Sequence, residues 1–313
     1  MDDKVRDLIM IGAGPSALAA AVYTTREDID TILYEKGVIG GLAAVTDMVD
    51  NYPGFPDGVQ GLTLAGQLEK QAERFGAQIE FGDVSALRIE GDTKVVTVDG
   101  ADVRAKTVLI ATGSDYNKIG VPGEAEYFGR GVHYCATCDG AFYRDKRLVV
   151  IGGGNSAVQE AIFLTRYTTH IDLLVRSTIK ASEILQHDLQ KFVDEGKITV
   201  HLDTTTEEIV TTDGKVTSVK AVKNSEPISI ETDGVFVFVG LKPNTQFLEG
   251  SGVELDEVGM IKTDDKLRTN IAGIFASGDV RSGATMQIAS AVGEGASAAL
   301  SIREHLDELA HAS

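Results

Sequence analysis

Two stretches of this chain share one design: a short apolar run, a glycine-rich turn and a helix-forming segment. The first reads "DLIMIGAGPSALAAAVYTTRE" and the second "RLVVIGGGNSAVQEAIFLTRY". Strand, tight turn and helix in that order open a dinucleotide-binding unit, and nothing else in the sequence restricts the fold as strongly. In the first copy Gly12 permits the turn, Gly14 lets backbone approach a pyrophosphate, and Ala17 allows close helix packing. A helix N-terminus adds free N–H groups and the positive end of its dipole. Glu35 closes the next apolar run, "DTILYEK", about 20 residues on, where a carboxylate can accept hydrogen bonds from a ribose diol. In the second copy Gly152, Gly153 and Gly154 lead into Asn155, Ser156 and Ala157, and "THIDLLVRSTIKAS" supplies the following strand. Two such folds imply two nucleotide-type ligands, or one ligand and a vestige.

The segments between them set the domain organisation. "TKVVTVDGADVRAKTVLIATGSDYN" predicts a hairpin and then a buried strand running into Ala111, Thr112 and Gly113. "ITVHLDTTTEEIVTTDGKVTSVKAVK" alternates as strands do, with Asp213-Gly214 at a turn, and "ETDGVFVFVGLKPNT" holds another buried strand. "GIFASGDVRSGATMQIASAVGEGASAALSIREHL" predicts a short strand, Gly278-Asp279 and a long C-terminal helix. The closing piece resembles neither fold, and the economical assembly returns it to the first domain. The expectation is an α/β chain of two Rossmann-like, three-layer ββα domains, the second inserted into the first: 1–115, then 116–243, then 244–313. The length of 313 residues agrees with about two domains.

A formal charge of −18 speaks against nucleic acid or an anionic membrane as partner. The N-terminal apolar run is short and enters a glycine turn, unlike a signal peptide, and no apolar stretch reaches about 18 residues. A cytoplasmic location is expected.

The only two cysteines, Cys135 and Cys138, stand in "HYCATCDGAFY". Three readings compete: half of a metal site, a structural pair, or a thiol couple that cycles. Zinc needs about four ligands, and only His133 of the six histidines is near the pair in sequence. A C-x-x-C spacing lowers one thiol's pKa and favours a reversible disulfide.

Taken together, "GAGPSALAAA", "NYPGFP", "ATG", "CATCDG", "GGGNSA", "GLKPNT" and "GIFASGDV" resemble the low-molecular-weight thioredoxin reductases over essentially the full chain. The resemblance implies FAD in the first domain, its pyrophosphate over Gly12, Gly14, Pro15 and Ser16 and its ribose at Glu35, with Lys36 and Val84 beside it. It implies further flavin contacts at Gly41, Leu42 and Asn51 and along Ala111, Thr112 and Gly113. Gly278 and Asp279 fall on the ribityl chain, and Met286, Gln287 and Ile288 on the pyrimidine edge. A helix N-terminus there suits the negative charge of a reduced flavin. Cys138 is implied to take electrons from the flavin and Cys135 to attack a substrate disulfide, that of thioredoxin or a similar protein. Asp139 is the implied proton donor beside the pair. A rotation of the second domain, which carries the cysteines, is implied to serve both tasks, in a homodimer.

The second nucleotide site departs from the family. A His-Arg-Arg run and a later Arg, which clamp the 2′-phosphate of NADPH, are here "LLVRSTIK". Leu174 and Val175 stand for the first two, Arg176 remains, and Lys180 replaces the last. With Gly153, Gly154, Asn155 and Ser156 these form the candidate nucleotide set. No acid stands at Val175 to favour NADH. Gln159, Leu42 and Met286 also replace a family Glu, Gln and Arg. The electron donor is therefore open between NADPH or NADH, a second flavin in the nucleotide site, and ferredoxin, for which Arg144, Lys146 and Arg147 form a small basic patch. A flavin-bound redox sensor without turnover is the non-enzyme alternative.

Overall fold

Alternation along the first strand sorts its side chains between two cores. The structure, a computed structural model, describes residues 4–46 and 48–312. In β1 (Val5–Ile11) Leu8 and Met10 pack with α1 (Pro15–Arg26), whereas Ile9 and Ile11 face the opposite side. Successive strand side chains point to opposite faces, so one apolar run feeds both layers. β2 (Thr31–Glu35) lies parallel to β1, from Leu8↔Thr31 to Ile11↔Tyr34. A short ribbon, β3 (Met48–Val49) with β4 (Val59–Gln60), leads into α2 (Gly61–Arg74), and β5 (Gln78–Phe81) extends the sheet beside β2. β6 (Val84–Glu90), β7 (Thr93–Val98) and β8 (Ala101–Ile110) follow as an antiparallel meander. The second arm of the predicted hairpin and the predicted buried strand are one continuous element. β8 begins antiparallel to β7 and ends parallel to β1.

The chain divides into two compact units, residues up to Asp115 with those from Lys242 onward, and Tyr116–Leu241. It leaves the first unit along β9 (Ser114–Tyr116). The second unit holds β10 (Val132–His133), α3 (Ala136–Asp139), β11 (Arg147–Ile151), α4 (Asn155–Leu164), β12 (His170–Leu174), α5 (Glu183–Asp194) and β13 (Ile198–His201). An antiparallel sheet, β14 (Thr204–Thr212), β15 (Lys215–Lys223) and β16 (Glu226–Glu231), precedes β17 (Gly234–Val237). The turn between β14 and β15 is Asp213-Gly214, both at positive φ (51° and 75°), the conformation of a two-residue hairpin. The parallel sheet runs β10-β17-β11-β12-β13. In β11 Leu148 and Val150 pack toward the helices, while Val149 and Ile151 pack toward the antiparallel sheet.

The chain returns along β18 (Leu241–Pro243). β19 (Ile274–Ala276) lies parallel to the end of β8, and α6 (Ile288–Ala312) packs along α1. Gly295 makes that approach possible. A Cβ there would collide with the Ser16 carbonyl oxygen. Each unit is thus helices, parallel sheet and antiparallel sheet in layers, an α/β fold in which one Rossmann-like unit interrupts another. Among the described residues no helix is long and apolar enough to cross a membrane.

Candidate active site

In the first unit, Gly12 sits at φ +96°, and a Cβ on it would lie 2.5 Å from the Ala111 carbonyl oxygen. Only glycine lets the β1–α1 turn close against the end of β8. Gly14 is the N-cap of α1 with no side-chain cap and open space in front of it, and Pro15 occupies the first turn. The first N–H groups of the helix therefore face a space a pyrophosphate can fill. Gly41 takes φ +55°, and a Cβ on it would lie 4.0 Å from the Gly14 Cα. Ser16 is buried and its Oγ lies 2.6 Å from Ser277 Oγ, which ties the turn to the loop after β19.

Glu35 ends β2 beside this turn. Its Oε2 accepts from Ala13 N at 2.8 Å and its Oε1 from Gly37 N at 2.7 Å, so the carboxylate is oriented by the loop it would serve. A cavity of about 330 Å³ opens there, lined by Gly12, Glu35, Lys36, Val84 and Thr112 among others. Asp83, Ser85, Asn244 and Gln246 also line it. None of these four was singled out as a site residue; Asn244 alone lies in a motif, "GLKPNT". Thr112 Oγ1 donates to the Asn244 carbonyl at 2.7 Å, and Asn244 Nδ2 donates to the Thr112 carbonyl at 3.1 Å.

Across the turn from Ser16, Gly278 takes φ +74°, and a Cβ on it would come 3.1 Å from Ser16 Cβ. Asp279 follows. Burial, and then the negative charge of Glu294, push its carboxyl up to about 6. Glu294 is itself held by Arg281 (2.6 Å) and accepts from Gly278 N at 2.8 Å. Met286 stands at φ +56°, and Ile288 begins α6 against Val49, Val59 and Leu64. Gln287 Oε1 accepts from Asn51 Nδ2 at 3.0 Å, so these two predicted residues meet although 236 positions separate them. Leu42 is 39% exposed. The glycine cradle, the uncapped helix start and a carboxyl whose charge is disfavoured until a hydroxyl or similar donor meets it fit an FAD along this edge.

The second unit holds the sulfur chemistry. Cys135 and Cys138 are joined as a disulfide, with Cα atoms 5.3 Å apart. Cys135 is the N-cap of α3, and its Sγ accepts from Cys138 N at 3.2 Å. A hydrogen bond donated to sulfur favours the thiolate once the bond is reduced. Both cysteines are half-buried and Thr137 between them is exposed. Gly140 lets this turn rest on α4, since a Cβ would come 2.7 Å from Leu164 Cδ2. Asp139 Oδ2 lies 3.1 Å from His133 Nδ1, and His133 Nε2 lies 2.7 Å from the Tyr143 hydroxyl. His133 and Tyr143 carry no recognisable motif.

A second cavity, about 600 Å³, surrounds the turn after β11. A Cβ on Gly153 would come 2.6 Å from Val175 Cγ1, and Gly154 is the uncapped N-cap of α4 with open space before it. Asn155 Oδ1 accepts from Ser182 N (2.8 Å), and Lys180 N donates to the Gly153 carbonyl (2.6 Å), so the loop after β12 is fastened to the glycine turn. Arg176 and Lys180 line the cavity as expected, with Ser156. Leu174 and Val175, which replace the family's first two clamp residues, border the cavity but offer it no charge. Leu174 ends β12 and both side chains are in the core, at 1% and 2% exposure. The exposed positions past the strand that line the cavity are Arg176, Ser177, Thr178 and Lys180. Lys118, unmarked in the sequence, supplies a third cation, and no Asp or Glu is among the cavity's described lining. Gln159 is exposed on α4. In the small basic patch, Arg144 and Lys146 lie over the rings of Tyr167 and Tyr143, and Arg147 pairs with Asp172 at 3.6 Å.

Two dinucleotide-type units and a vicinal cysteine pair beside an acid define a flavin-dependent disulfide oxidoreductase. The family model "Pyridine nucleotide-disulphide oxidoreductase" matches residues 6–295. The chain is 40% identical over 311 residues to the thioredoxin reductase of Bacillus subtilis, covering 98% of this chain and 97% of the relative. It is 43% identical over 315 residues to that of Listeria innocua, covering 99% and 97%. The crystal structure of thioredoxin reductase from Streptococcus pyogenes superposes with a TM-score of 0.91 at 38% identity, over 97% of this chain and 99% of that one. The chain belongs to the pyridine nucleotide-disulphide oxidoreductases, within the low-molecular-weight thioredoxin reductase class. It is an enzyme of disulfide exchange, and Cys135–Cys138 is its redox-active pair.

Proposed function

We propose that this chain transfers electrons from NADPH, through FAD and the Cys135/Cys138 pair, to the disulfide of a thioredoxin-type protein. The observation that carries the choice of donor is the wall of the second cavity: Lys118, Arg176 and Lys180 around the uncapped start of α4, with no carboxylate among its described lining. A ribose diol calls for an acid, whereas a 2′-phosphate calls for charge-assisted donors. FAD supplies two-electron transfer when bound along Gly12, Gly14, Pro15, Ser16, Glu35 and Asp279. Lys36 and Val84 border its adenosine end in this reading, and Asn51, Met286, Gln287 and Ile288 its ring. Cys135 is the nucleophile, because its sulfur receives the Cys138 N–H. Asp139 exchanges the proton that thiol and thiolate need. A cytoplasmic homodimer completes the reading by likeness to the family.

An anaerobic titration tests the donor. NADPH bleaches the flavin, NADH is at least about tenfold weaker, and Arg176→Ala removes most of that preference. Bleaching by dithionite but by neither nicotinamide overturns the donor and leaves a second flavin or ferredoxin, which a count of flavins per chain separates. Cys135→Ser or Cys138→Ser abolishes turnover with thioredoxin while the protein stays yellow.

A further inference from the structure

His133 ends β10, just before the cysteine turn, and is buried to 4% exposure. Phe236 of β17 stacks on its ring at 5.1 Å, and Tyr143 meets it edge-on at 5.3 Å. Its two nitrogens are both engaged, one by Tyr143 and one by Asp139. Those partners fix the protons. Burial first, then the charges of Asp139 and Asp233, hold the Tyr143 phenol well above its ordinary pKa, so it keeps a proton that it can donate to Nε2. With the phenol donating, Nε2 accepts and Nδ1 carries the ring proton toward Asp139 Oδ2, so that Oδ1 can hold the carboxyl proton. The ring cannot turn over without losing both hydrogen bonds.

We propose that His133 is a positioning residue for Asp139. Held by Tyr143 and Phe236, it anchors the carboxyl through Oδ2 and leaves Oδ1 for the cysteine pair. The proposal rests on the reading of Cys135–Cys138 as the cycling couple. When two electrons enter the disulfide, the S–S bond breaks, and one sulfur takes a proton from Asp139 while the other remains a thiolate. When the pair reduces a partner's disulfide, the partner's S–S bond breaks and its two sulfurs leave as thiolates that water protonates, the Cys135–Cys138 bond re-forms, and the pair's proton returns to Asp139. A half-buried carboxyl that lost the imidazole N–H would turn toward water or its own backbone. The groups facing the imidazole are Asp139 from α3, Tyr143 from the turn after it and Phe236 from β17. Asp233 and Lys146, the latter 5.6 Å from the Tyr143 ring centre, act on it only through Tyr143.

The test is a double-substitution cycle read by thiol alkylation. The flavin-loaded protein is reduced with a phosphine, freed of reductant, and reacted with iodoacetamide across a range of pH. Asp139→Asn is expected to move the alkylation midpoint by about one pH unit in the native background, and by less than about half of that in the His133→Asn background. Tyr143→Phe keeps the ring packing and frees only Nε2, so it reports the same loss of coupling even if His133→Asn folds poorly. An equal Asp139→Asn shift in all three backgrounds overturns the proposal. No shift on Asp139→Asn in the native background removes the role of Asp139 and the proposal with it. Failure of the redox reading itself shows separately, as native thiols that exchange with no disulfide.

Discussion

Asp279 is a loop carboxyl with its pKa pushed up to about 6 by burial and by Glu294. The folded chain therefore binds this proton more tightly than the unfolded chain, whose Asp titrates near 4. The stabilisation is fully present below about pH 4 and is lost as pH rises through about 6. In flavin-free protein, Asp279→Asn removes that loss. The variant is expected to gain about 3 kcal/mol over the native chain at pH 7.5 and little at pH 4, by urea unfolding at each pH. Equal differences at both values would show that the proton is not held there. At this scale the sequence displayed Asp279, Glu35 and the cysteines plainly, because each sits inside a short motif whose spacing has a mechanical reason. His133 and Lys118 were not legible as site residues. One stands beside the cysteine pair in sequence but outside its motif, and its contact with Asp139 depends on how the turn folds back; the other arrives from a different part of the chain.

Strands and helices were legible where period and punctuation agree: the apolar runs into both glycine turns, the Asp213-Gly214 hairpin, the long final helix. The continuity of β8 was not, since its first half pairs with β7 and its second with β1, and pairing partners are set by the whole sheet. The glycines of α6 make the same point within one helix. "VGEGASAA" offers Gly293 and Gly295 as equals, yet only Gly295 faces α1, where a Cβ would meet the Ser16 carbonyl and lie 3.2 Å from Ala20 N. Gly293 has nothing within 4 Å. Gly295→Ala is therefore expected to cost about 2 kcal/mol or more by forcing the helices apart, and to loosen flavin retention through Ser16. Gly293→Ala is expected to be neutral or stabilising by up to about 1 kcal/mol. Urea unfolding of the two flavin-loaded variants side by side checks the contrast, and equal effects would place the helix contact elsewhere.

Across the whole molecule, the recurrence of one supersecondary unit made a two-fold α/β architecture readable before any contact was known. What it could not give is how the interrupted unit closes on itself, because that depends on residues far apart in sequence. Thr112 and Asn244 exchange two hydrogen bonds, and Asn244 N donates to the Gly113 carbonyl at 3.1 Å. The two ends of the interruption are thus neighbours within the first unit. The sheet, the glycine turn, Asp279 and the cores on both sheet faces all belong to that unit. Replacing residues 116–241 by a short Gly-Ser turn adds little loop-closure entropy, since the joined ends are already adjacent. The shortened chain is expected to unfold as one cooperative unit, to purify yellow with one FAD, and to have no disulfide turnover because the cysteines are gone. Absorbance of the released flavin per chain measures this. A soluble, folded but colourless product would mean that the first unit alone does not make the flavin site, and that the second supplies part of it.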